Sequence, residues 1–246
     1  MSVATLLLVG AAGAVAGTVN VAAGGGAFLA YPVLVLAGLP PLAANVTNTV
    51  GSVPGSLTGA WGYRLELDGQ SRRVLRLLPV CILGAAVGVT LLLALPTSVF
   101  PRVVPWLVLT SCLLVAAGPW VREHVTGGAG TRWLPLGVFM CAVYGGYFGA
   151  ANSVLVLAVV GAVLRDTLQR LNALKGVLVG VTNAAAAVLL AVVAPVAWPD
   201  ALALGVGYAA GGLAGARLAR RLPEGPLRAA IVAAGLIVAA VLLLRQ

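Results

Sequence analysis

The chain has 246 residues, 61% hydrophobic and 9% charged, with a mean hydropathy of +1.08. Soluble domains carry about a quarter charged residues, so this composition excludes a soluble globular protein and leaves almost no length outside membrane segments. The net charge of +9 does not indicate nucleic acid as a partner, because the basic residues stand at the ends of apolar segments, where they set topology.

Hydrophobicity and turn residues predict a first segment at Val3–Ala23. Its opening residues, MSVATLLLVG, lack a basic n-region, so this helix is expected to stay in the protein rather than be cleaved. Gly24-Gly25-Gly26 then interrupts the apolar run before a short segment at Ala27–Ala37. Glycines can serve close helix packing, but three in a row inside a helix cost about 3 kcal/mol against alanine. A true break is therefore expected. Segments at Pro41–Tyr63, Val74–Leu95 and Val103–Trp120 complete a first repeat, residues 1–121.

A polar connection at 122–132, holding Arg122, Glu123, His124 and Arg132, is expected on the cytoplasmic side. A second repeat, 133–246, holds segments at Trp133–Gly149, Val154–Leu164, Leu168–Val193, Ala201–Leu218 and Leu227–Leu244. Its interruption, Ala151-Asn152-Ser153, falls 127 positions after the first. The second and seventh segments have 11 residues each, about 17 Å of helix against about 30 Å of hydrocarbon. Each is expected to be half of a broken or re-entrant helix pair opening its repeat. Backbone broken at membrane depth must face protein or a water-filled cavity, and such breaks at matching places in two halves point to a transporter's binding site.

Charge decides the parity. If each half crosses four times, the Lys and Arg residues divide 7 against 8 and orient nothing. If each short segment returns the chain, 13 share one face and only Arg102 and Arg245 fall on the other. That split follows the positive-inside rule and places both termini outside the cytoplasm. Odd parity makes the halves inverted, so equivalent loops should carry opposite charge. Gly38–Pro41 is uncharged while its equivalent carries Arg165, Asp166 and Arg170; Arg64–Arg76 is basic while Ala194–Asp200 has no Lys or Arg. The expected fold is an all-α membrane protein of two inverted repeats with about five membrane segments each.

Asn45, Asn48, Ser52 and Ser56 share one helical face of the third segment. Their equivalents on the eighth are Asn172, Lys175, Val179 and Asn183. Such stripes either line an aqueous path or tie helices together. Helices starting after Gly26 or Ser153 would aim N–H groups and a positive dipole end inward, an anion site, with Asn20 and Asn152 beside them. Lys175 either snorkels to the cytoplasmic interface or attracts an anionic substrate.

Other chemistries are poorly represented. Glu66, Asp68, Glu123, Asp166, Asp200 and Glu224 all fall in or beside predicted loops, not at mid-membrane where proton relays place a carboxylate. Cys81, Cys112 and Cys141 lie far apart with no C-x-x-C, and His124 is the sole histidine. Neither an enzyme, a metal site nor a cofactor is expected.

The run Tyr144-Gly145-Gly146-Tyr147-Phe148-Gly149-Ala150, followed by Leu171-Asn172-Ala173-Leu174-Lys175-Gly176 and Val181-Thr182-Asn183-Ala184, resembles the sulfite exporter TauE/SafE family of membrane permeases. Gly13 to Gly26, Pro32, Leu39-Pro40, Ala44-Asn45, Thr47-Asn48 and Pro54-Gly55 resemble that family's N-terminal pattern. The second break departs from it, since the family is usually glycine-rich there. The resemblance implies multi-pass carriage of small sulfur-containing or organic anions such as sulfite and sulfonates. The reading is a secondary transporter of the bacterial inner membrane, working by alternating access, with the lipid bilayer and a small anion as its partners. A coupling ion, proton or sodium, is left open. Its substrate-binding residues would be Asn20, Gly24, Gly25, Gly26, Asn45, Asn48, Ser52, Asn152, Ser153, Asn172, Lys175 and Asn183. The alternative is a non-transporting membrane assembly or structural subunit.

Overall fold

A computed structural model of the chain describes residues 3–22, 24–96, 99–124, 131–149 and 152–218, with scattered positions between 229 and 240. Among the described residues all regular structure is helical. The order is α1 (Val3–Ala22), α2 (Ala27–Leu36), α3 (Pro41–Gly62), α4 (Ser71–Ala94), α5 (Val99–His124), α6 (Leu134–Tyr147), α7 (Asn152–Val163), α8 (Leu168–Val193) and α9 (Trp198–Leu218). Short 3-10 turns at Arg64–Leu67 and Thr131–Trp133 precede α4 and α6. Apart from the scattered positions, the tenth expected segment lies outside the described residues, as does Ala151.

Local chemistry sets several boundaries. Pro41 starts α3 at a position where the missing N–H costs nothing. The Thr167 hydroxyl accepts from the Arg170 N–H and caps α8. Gly38, at φ +100°, makes the turn between α2 and α3. One boundary differs from expectation: α5 runs through His124, so Arg122, Glu123 and His124 belong to its last turn and not to a connection. The loss of apolar composition marks where the hydrophobic stretch stops, but charged residues such as Arg and Glu continue a helix well.

Among the described residues three helices, α1, α4 and α8, are both long and apolar enough to cross a membrane, and α2 and α7 are the short apolar pair. Large apolar side chains such as Leu7, Leu83, Val192, Leu202 and Val206 face outward, as they do where lipid is the solvent. Among the described residues the interior holds two large apolar clusters and a small one around Val21, Tyr63 and Ala173. One centres on α1, α2, α3 and α9 around Phe28, Leu34, Leu204 and Tyr208, and extends to α4, α5 and α8 through residues such as Val89, Val104 and Leu190. The other joins α4, α6, α7 and α8 around Leu77, Val138, Val160 and Leu174.

α9 packs against α1 and α3, α4 packs against α6 and α8, and α3 crosses α8 between the two groups. Glycine seams bring the backbones together. A Cβ on Gly84 or Gly88 would run into the backbone of α6 at Phe139 and Val143. A Cβ on Gly211 or Gly215 would run into α1 at Ala14 and Thr18. These two glycine pairs also stand 127 positions apart.

The connections gather at two ends. Gln70, before α4, donates to the Arg170 carbonyl at 3.1 Å, and Asp166 pairs with Arg170 at 2.9 Å and with Arg73 at 4.0 Å. The loops after α3 and after α7 therefore share one end, which carries the basic cluster. At the other end the Ala197 N–H, before α9, donates to the Thr47 hydroxyl near the start of α3.

Candidate functional site

α1 stops because Gly24 and Gly25 take left-handed φ values of +78° and +82°, which only glycine adopts cheaply. The Gly24 N–H turns back to the Val19 and Asn20 carbonyls at 3.1 Å, closing the helix end. Gly26 is different. It is right-handed, and its α-carbon lies so close to the Ala16 carbonyl that no Cβ fits. The triplet therefore combines a two-residue break with one packing glycine. At the second interruption α6 ends at Tyr147, Phe148 is extended with its N–H on the Tyr144 carbonyl, and α7 begins at Asn152.

The two interruptions touch. Ser153 Oγ donates to Asn20 Oδ1 at 3.1 Å. A Cβ on Gly24 would stand 3.0 Å from a Val154 methyl and 3.1 Å from Ser153 Cβ. Beside this junction is a cavity of about 20 Å³, lined by Asn20, Ser56, Tyr63, Ser153, Asn172 and Lys175 among others. That volume suits roughly one water. Lys175 is only 3% exposed, so its chain stays inside the helix bundle instead of reaching outward to an interface. The buried Asn172 Oδ1 has no hydrogen-bond partner among the described residues.

The structure thus brings Asn20, Ser153, Asn172 and Lys175 together with Gly24 alongside. Asn45, Asn48, Ser52 and Asn183 hold helices to one another. Asn45 Nδ2 donates to the Tyr147 carbonyl at 3.2 Å. Asn183 Nδ2 donates to Ser52 Oγ at 3.2 Å, across the α3–α8 crossing. The Tyr208 hydroxyl donates to Asn48 Oδ1 at 3.3 Å, and Asn48 Nδ2 reaches the Ala27 carbonyl at 3.5 Å. Asn152, at the first position of α7, is fully buried against Gly145, and neither amide atom has a partner among the described residues.

Sequence reasoning missed the aromatic side chains gathered beside Tyr147, whose carbonyl accepts from Asn45. Phe148 meets Tyr31, Phe100 and Tyr144 edge-on at centroid distances of 5.9, 6.4 and 6.5 Å, and Phe100 also meets Tyr147. The available signal was position, since Tyr147-Phe148 adjoins the second interruption. Tyr63 and Tyr208 gave no such signal. Asp200 lies where expected, beside a loop, but it is 1% exposed in the first turn of α9. No group of three or more metal-ligating side chains occurs among the described residues.

Two inward-facing interruptions that meet between helix groups, beside a buried lysine and amides, define a membrane protein with an internal polar site. The sulfite exporter TauE/SafE family model matches residues 9–242, and the chain belongs to that family. It is also similar to a protein of Haemophilus influenzae named "Probable membrane transporter protein", at 26% identity over 152 residues. That match covers 60% of this chain and 59% of the relative, so the chain spans about three fifths of its length. No solved structure matches the chain.

Proposed function

We propose that the protein is a secondary transporter of a small anion, sulfite, a sulfonate or a related sulfur-containing or organic anion, and works by alternating access. The observation that carries the reading is the junction of the two interruptions: Ser153 bonded to Asn20, with Lys175 and Asn172 around the adjoining cavity. A lysine supplies charge, amides and hydroxyls supply donors, and α7 presents its positive end to the same place. At about 20 Å³ the cavity holds a water-sized guest, so loading an anion requires α3 and α8 to part. Family membership and the relative's name support transport over a structural or assembly role.

Two inverted repeats fit the packing. The fourth helix of each half lies on the first and third helices of the other, α4 on α6 and α8, α9 on α1 and α3. The glycine seams keep the 127-residue register. In this reading the Arg73–Arg170 end is cytoplasmic, the termini are outside, and the protein resides in the bacterial inner membrane. Flux into proteoliposomes, screened with sulfite, sulfate, sulfonates and carboxylates, tests it. Saturable uptake of at least one anion, lost in a folded Asn172→Ala protein, is expected. Absence of flux for all of them from folded protein would favour the structural subunit.

A further inference from the structure

Asn45 and Tyr147 form a pair, and adding or subtracting 127 converts them to Asn172 and Asn20. The two pairs are in different states. Asn45 Nδ2 holds the Tyr147 carbonyl at 3.2 Å, and the amide is 2% exposed. Asn172 and Asn20 instead flank the cavity, and no hydrogen bond joins them among the described residues. The surroundings differ in the same sense. Around the closed pair stand Tyr31, Phe100, Tyr144 and Phe148. The positions equivalent to Tyr31, Tyr144 and Phe148 are Ala158, Gly17 and Val21, too small to fill the corresponding space.

We propose that these pairs are two latches of opposite sense: Asn45 on the Tyr147 carbonyl shuts the end away from the basic cluster, and Asn172 on the Asn20 carbonyl shuts the end that carries it. The inference rests on the transport reading, and it assigns the gating residues within it. A carbonyl that already accepts one N–H has a second lone pair. Asn20 therefore keeps its bond from Gly24 while accepting from Asn172. In the structure the first latch is closed and the second open. Exchange of the two states moves the point at which the helices can part from one end to the other. The gates are unlike in kind: the first adds a cluster of aromatic rings to its latch, whereas at the second Tyr63 is the one aromatic side chain among the residues lining the cavity.

The test uses two cysteine reporters in the full-length protein, labelled with a membrane-impermeant maleimide from each side of oriented vesicles. Ala60→Cys lines the cavity, and Gly149→Cys lies beside Thr49 on the Asn45 side, where a Cβ meets nothing nearer than 3.6 Å. Cys81, Cys112 and Cys141 are buried and set the background. Asn45→Ala should raise labelling of Gly149→Cys roughly threefold to tenfold, the worth of one hydrogen bond, and lower labelling of Ala60→Cys. Asn172→Ala should do the reverse at Gly149→Cys and preserve labelling of Ala60→Cys. Phe148→Leu, which thins the aromatic cluster without touching the latch, should act in the direction of Asn45→Ala. Both reporters moving together, as in a merely loosened chain, or neither moving, overturns the proposal. Labelling needs no substrate. Opposed shifts without flux would retain the latches and discard the anion reading, and flux without opposed shifts would do the converse.

Discussion

Lys175 is held 3% exposed inside a helix bundle, a location that carries a large desolvation cost for a cation and marks function in membrane proteins. If its charge draws the anion, Lys175→Gln should weaken apparent affinity about tenfold or more, since two charges 4 Å apart at intermediate dielectric interact by about 4 kcal/mol. Initial uptake rates against anion concentration measure this, and an unchanged Gln variant would leave binding to the amides and helix ends. Gly24 and Gly38 allow a second comparison. Both have positive φ, but a Cβ on Gly24 meets Ser153 and Val154, whereas one on Gly38 meets nothing within 4 Å. Gly38→Ala should cost about 1–2 kcal/mol of backbone strain. Gly24→Ala should cost more and lower flux as well, read as thermal midpoints in detergent alongside transport.

The elements were largely legible because apolar runs, proline and glycine mark helix ends in this chain. Pro41 opens α3, Gly24 and Gly25 end α1, and the 10-residue α2 and 12-residue α7 fall where short runs were expected. What was not legible depends on contacts between distant residues. Nothing in a stripe of Asn and Ser tells which member faces a void and which a neighbour. Thus Asn172 lines the cavity while Asn45, its equivalent, is bonded to a carbonyl 102 positions away. The glycine pairs Gly84/Gly88 and Gly211/Gly215 have small-x-x-x-small spacing, but only the structure gives their partners. Gly88→Val should destabilise strongly, by about 3 kcal/mol or more from forcing α4 off α6. Its outward-facing neighbour gives the control: Val87→Leu, 42% exposed, should change stability by less than about 0.5 kcal/mol. Membrane-fraction yield and thermal midpoints compare the two.

Charge asymmetry in the sequence forecast which connections share an end, and contacts agree for those described: Gln70 with Arg170 at one, Ala197 with Thr47 at the other. Sidedness in the cell is a separate matter that labelling decides. Asp68→Cys, exposed beside the basic cluster, should be protected from an impermeant reagent in intact cells, and Pro195→Cys should react. The opposite result would invert the orientation.

The glycine seams bear on how the chain is made. α4 fits its Gly84–Gly88 face against α6, and α1 fits its inner face against α9. Both partners leave the ribosome much later than the helices awaiting them. During synthesis α1 and α4 must therefore wait in lipid with backbone-smooth faces uncovered, and neither half can reach its final packing alone. A fragment ending near residue 121 should be a target for membrane proteases. Supplying the remainder as a second polypeptide in the same cell should rescue it, because the missing surfaces belong to the other half and not to the linker between them.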